Sequence, residues 1–87
     1  MYMLSRISEL TGRVVYNHQG NPVGKVSDVI LDFERNSIYG LYIDETNPEL
    51  VEGGAPISIP YRLVKAIGEI ILLKTFPQYI RVNPEQR

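Results

Sequence analysis

The sequence predicts an all-β domain of six short strands behind a short N-terminal helix. β-Branched and apolar residues with polar ones interleaved, as in Val23 to Phe33, fit a pleated surface buried on one side. Turn-forming residues separate such runs: Gly20-Asn21-Pro22, then Glu34-Arg35-Asn36-Ser37, then Gly68-Glu69. Apolar residues at helical spacing, Leu4, Ile7 and Leu10, mark the N-terminal segment.

Ser5 is placed to cap that helix and Gly12 to follow its end, which gives one or two turns plugging an open end of the domain. As a membrane anchor the segment is short, with Arg6 as its cation. Arg13 to Tyr16 is the first strand, and Asn17 to Pro22 the hairpin loop after it. Val23 to Phe33 is a long second strand at the centre of a meander. Its apolar residues cannot all face inward under strict alternation, so a bulge is expected near Ser27-Asp28. Ile38 to Asp44 is the third strand. Its alternation sends Tyr39, Leu41 and Ile43 inward and Gly40 and Tyr42 outward, with Gly40 marking a bend or a close backbone approach.

Residues 45–55, with Asn47-Pro48, Gly53-Gly54 and three glutamates, read as an extended, mobile loop. Pro56 to Pro60 is a short strand whose prolines, lacking a backbone donor, place its ends at a sheet edge or where pairing stops. Tyr61-Arg62-Leu63 makes a turn that points Leu63 at the core. Val64 to Ile67 and Ile70 to Lys74 are strands five and six. Residues 1–76 thus form one domain, and 77–87 a tail that docks on the domain or on a partner subunit.

Composition bounds the function. The chain has 87 residues, one small domain, and buries only about 60% of its unfolded surface unless a partner adds burial. Nine Lys and Arg against ten Asp and Glu leave a net charge of −1, which argues against a broad nucleic-acid footprint. With no cysteine there is no disulfide or thiol chemistry. Ile70 to Leu73 is far shorter than the roughly 20 residues needed to span a bilayer, and the N-terminus lacks a signal pattern.

The ordered set Gly12-x-Val14-Val15-Tyr16, a Gly-containing turn, Val23-Gly24-Lys25-Val26-x-Asp28-Val29-x-x-Asp32, Ile38 to Ile43, and Ile59-Pro60-Tyr61-Arg62-Leu63-Val64 on to Leu73 resembles the PRC-barrel domain family. The resemblance runs from Leu4 to Lys74. It implies closure of the strands into a small six-stranded antiparallel PRC-type β-barrel. The family is named after the photosynthetic reaction centre H subunit; it also supplies the second domain of a ribosome maturation factor and stand-alone archaeal proteins. It is generally a non-catalytic binding module, so the resemblance implies fold more firmly than function.

The residues offer little catalytic chemistry. His18, the single histidine, falls in a hairpin loop with no second His or Cys for a zinc set, and reads as solvated. Asp28, Asp32, Asp44 and Glu45 lack the spacing of an oxygen-ligand loop. Asp28 is better placed to bond backbone donors at the bulge, and Asp32 to support the turn after it. Gly20 to Ser27 lacks the spacing and the following helix of a phosphate loop, and no serine sits in a nucleophile elbow. No enzyme activity, cofactor or metal is expected.

Interaction residues are the better candidates. Tyr16 and Tyr39 suit the core rim, where a ring is buried and its hydroxyl stays wet. Tyr42, Tyr61 and Arg62 suit an exposed interface. Of Ile70, Ile71, Leu72 and Leu73, two face the core and two face away, and the outward pair needs cover from the tail, through Phe76, Tyr79, Ile80 and Val82, or from a second copy. A homodimer is expected. The resemblance to stand-alone archaeal members implies an adaptor in archaeal cell division, working with a SepF-like membrane tether of the division ring and reaching the membrane only through that partner. The alternative it implies is a ribosome-assembly factor that binds ribosomal protein or rRNA.

Overall fold

The computed structural model describes residues 9–82. It contains seven strands: β1 (Val14–Tyr16), β2 (Pro22–Lys25), β3 (Asp28–Asp32), β4 (Ser37–Ile43), β5 (Ile57–Pro60), β6 (Val64–Ile67) and β7 (Ile71–Leu73). They form two sheets, one ordered β2-β1-β7-β6 and the other β3-β4-β5, that do not close into a barrel. The expected N-terminal helix lies outside the described residues, apart from Glu9 and a buried Leu10 in helical conformation.

The expected long strand is two strands. Its irregularity at Val26-Ser27 is not a bulge within one ladder but a transfer between sheets, since β2 pairs with β1 and β3 with β4. That transfer resolves the conflict in its alternation. Val23 and Val26 are buried before and at the switch, and Val29 and Leu31 pack on the core after it. Neither half is the centre of a meander, because each is the outermost strand of its sheet. The antiparallel expectation fails at one place: β1 and β7 run parallel, Val15 opposite Ile71 and Tyr16 opposite Leu72.

The β1–β2 loop is ordered by Asn17, 2% exposed, whose Oδ1 accepts the backbone N–H of Gln19 at 2.9 Å and of Asn21 at 2.8 Å. An Asn side chain bonding backbone donors two to four residues on is a local turn device, and here it leaves a buried amide oxygen satisfied. The β3–β4 turn is held the same way by Asp32, which accepts from Glu34 and Arg35 at 3.1 and 3.2 Å, as its spacing suggested. Tyr61–Leu63 is one 3₁₀ turn linking β5 of one sheet to β6 of the other, with Tyr61 and Leu63 half-buried against the core.

Residues 45–55 are not a mobile loop. Leu50 and Val51 belong to the core, and Val51 is fully buried. Asn47 anchors the segment by donating its backbone N–H to Val23 O at 2.8 Å and its side-chain amide to Pro22 O at 2.9 Å. Thr46 Oγ1 donates to Ala55 O at 2.6 Å and closes the base. Gly53 and Gly54 both take left-handed φ, near +65°, which glycine adopts without steric cost. Residues 77–82 dock on this segment within the chain: Ile80 donates to Leu50 O and accepts from the Glu52 N–H, at 2.9 and 2.8 Å. Glu52 Oε1 accepts from the Val82 N–H at 2.9 Å.

A single core lies between the sheets. Val15, Leu41, Ile43, Val51 and Ile71 are fully buried at its middle, and Leu73, Ile59 and Phe76 are nearly so. Three of the expected interaction residues, Ile71, Leu73 and Phe76, are therefore core residues. The inward choice at β7 follows from its pairing with β1, where Val15 and Ile71 sit opposite each other and share a face.

Candidate interaction surfaces

With the core filled, the chemistry of this chain sits on the outer faces of its two sheets. On the four-stranded sheet the register sets Pro22, Tyr16, Leu72 and Ala66 opposite one another in turn. Residues directly opposite share a face, so these four form one row across all four strands. None carries a formal charge. Tyr16 and Leu72 are half-buried, Pro22 and Ala66 exposed. Ile70, just before β7, is 41% exposed. Of the four consecutive apolar residues in this part of the chain, Ile70 and Leu72 are thus the outward pair. Ile67, at the far end of β6, is 42% exposed.

The three-stranded sheet offers a different outer face. Asp28 stands opposite Tyr42 and Ile30 opposite Gly40, while the alternate set Val29, Leu41 and Ile59 packs inward. The register then slips. Ile30 pairs with Gly40 and Leu31 with Ile38, so Tyr39 is an extra residue with no partner. This bulge buries Ile38 at 8% exposure and turns Tyr39 out to 65%. Strict alternation placed Tyr39 inside, at the core rim; the inserted residue reverses it. Gly40 permits the bend, since a Cβ there would lie 2.8 Å from Ile59 O. Phe33, in the turn beyond Asp32, is 85% exposed.

Carboxylates rim this face. Residues 28–44 contain Asp28, Asp32, Glu34 and Asp44 with Arg35 as their one cation. Arg35 Nε lies 3.8 Å from Asp32 Oδ2 in an exposed pair, which contributes little stability. Asp44 also borders an open groove of about 480 Å³ at the junction of the sheets, lined by Lys25, Ser27, Glu45, Thr46 and Asn47 among others. The Asp44 N–H donates to Ser27 Oγ at 3.0 Å, fixing that end of the face.

Of the residues singled out from sequence, Arg62 is exposed beside a half-buried Tyr61, and Tyr42 is half-buried on the acidic face. They do not meet Ile70 and Leu72, which lie on the other sheet. Phe33 and Tyr39 were missed as surface residues. Gly40 in mid-strand was the available signal for the bulge. His18 is exposed in its loop, and Asp28 Oδ1 accepts the N–H of Val29 at 2.8 Å.

The profile of the PRC-barrel domain matches residues 3–79. An uncharacterized protein of Methanocaldococcus jannaschii is 30% identical over 63 residues, spanning 70% of this chain and 71% of that protein.

Proposed function

The chain belongs to the PRC-barrel domain family, and from that membership we propose that it is a non-catalytic protein–protein interaction module. The observation that carries this reading is the outward apolar surface on both sheets around a core already filled by side chains. Large aromatic side chains at a surface are what interfaces use as anchors, and Phe33 and Tyr39 are such exposed aromatics.

The finer reading is an adaptor in archaeal cell division, cytoplasmic, acting with a SepF-like membrane tether. The resemblance to stand-alone archaeal members supports it, as does a relative from an archaeon. Among the described residues no helix is long and apolar enough to cross a membrane. Capture of partners by the tagged protein from its native cytosol, with and without nuclease, tests this. Nuclease-resistant recovery of division proteins is the expected result. Nuclease-sensitive recovery of ribosomal components would replace it with the ribosome-assembly reading.

In this reading the chain is a homodimer joined through the four-stranded sheet. The row Pro22, Tyr16, Leu72, Ala66 supports it, because an uncharged apolar row can meet its own copy about a two-fold axis, with Lys25 and Lys65 at its border. Ile70→Glu and Leu72→Glu are expected to give folded monomers by light scattering and circular dichroism. Folded dimers in both would exclude this face.

A further inference from the structure

The acidic aromatic face of the three-stranded sheet has no place in such a dimer. We propose that it docks a cationic, apolar segment of a different protein, in which Lys or Arg flanks a large apolar side chain. The inference rests on the interaction-module reading and names the chemistry of the partner.

Charge decides among the possible occupants. Asp28 stands opposite Tyr42, Asp44 lies two residues beyond Tyr42, and Asp32 and Glu34 lie at the β3–β4 turn, against the single cation Arg35 in residues 28–44. A second copy of the same face would set these carboxylates against their equals, and like-charge juxtaposition is costly. An anionic lipid surface or a phosphate backbone meets the same repulsion. A cationic segment is attracted by the rim, and its apolar side chain finds Tyr39, with Ile30 and Tyr42 beside it on that face. Phe33 extends the apolar surface at the hairpin tip. At the other end Asp44 and Glu45 line the groove between the sheets, together with Lys25. Aromatic anchors within a charged rim reproduce the usual division of an interface into a dry centre and a polar edge.

The site is held rigid from below. The bulge that presents Tyr39 is fixed by Ile38 and Leu41 in the core, and the turn that presents Phe33 by the carboxylate of Asp32.

The experiment is selection of a random peptide library on the immobilised full chain, followed by fluorescence anisotropy with the recovered peptides. The expected peptides have net positive charge and at least one large apolar residue. Their affinity falls by about tenfold or more in Tyr39→Ser, as for an interface anchor. It also falls in Glu34→Lys and Asp44→Lys, and it weakens with added salt. Asp32 is left unmutated because it holds the turn. The variants' circular dichroism and thermal unfolding serve as the check that the face is still folded.

Neutral or acidic peptides, or peptides that bind Tyr39→Ser undiminished, overturn the proposal. So does a library that yields no binder, and so does binding of the chain to phosphatidylserine vesicles in preference to the peptides. Peptides lost in Ile70→Glu but retained by Tyr39→Ser leave the interaction-module reading standing and move the site to the other sheet. Failure of the module reading itself is read separately, from the absence of any nuclease-resistant partner in the capture experiment.

Discussion

The two sheets share one core but present opposite kinds of outer face. On the four-stranded sheet the apolar row Tyr16, Leu72 and Ala66 is made of paired residues, although the ladders to either side shift register beside it, at Val15/Tyr16 and at Val64/Ala66. On the three-stranded sheet the exposed aromatic is the product of an irregularity, the unpaired Tyr39. The first face lacks charge where its apolar residues align; the second has four carboxylates against one arginine in residues 28–44. An uncharged row is indifferent to meeting itself, whereas a face with an excess of one sign disfavours its own copy and selects a complement. A domain of this size can thus separate self-association from partner choice by assigning each to one sheet.

Four substitutions test how far the faces are independent. The largest effect is expected where they share structure. Leu41→Ala in β4 and Ile71→Ala in β7 each remove a fully buried side chain, one beneath each face. Each should cost about 2–5 kcal/mol in urea unfolding, with a common m-value, because both open a cavity in the same core. A change in m for only one of them would mean that the sheets unfold separately.

A smaller effect belongs to one face alone. Asp32→Ala removes the acceptor for two backbone donors in the β3–β4 turn. It should cost about 1 kcal/mol and raise hydrogen exchange at Glu34 and Arg35, with no change in exchange around β7. The smallest effect is expected at the surface. Tyr39→Ser, at a side chain 65% exposed, should change stability by no more than about 0.5 kcal/mol while weakening peptide capture. A large loss of stability there would show that Tyr39 supports the bulge rather than a partner.

Much of the fold was legible in the sequence because strands and tight turns have local signals. The β3–β4 turn could be read from Asp32 and the polar residues after it, and the 3₁₀ turn from Tyr61-Arg62-Leu63 between a proline and an apolar run. What escaped depended on distant residues. The parallel pairing of β1 with β7 joins segments from opposite ends of the described chain and leaves no mark on the alternation of either. Leu50 and Val51 are two apolar residues among glutamates, and their burial depends on Ile80 completing a bridge to Val51. Tyr39, Leu41 and Ile43 alternate perfectly on paper; only the register against β3 shows that a residue has been inserted. The interaction surfaces were legible in part for the same reason. Four apolar residues in a row at Ile70 to Leu73 implied an outward pair without saying which two, whereas Phe33 and Tyr39 required the bulge and the turn to be seen.

The parallel pair has a consequence for how the molecule is made. As the chain emerges, β1 and β2 can form their hairpin at once, and β3, β4 and β5 can follow in order. Sheet completion must wait, because β7 is synthesised after every other described strand and its place lies between β1 and β6. Until it arrives, Val15 lacks the neighbour that helps bury it, and the nascent domain holds two unjoined edges side by side. Folding of the four-stranded sheet is therefore gated by the synthesis of β7, and a chain halted before Ile71 would expose an open slot of the width of one strand.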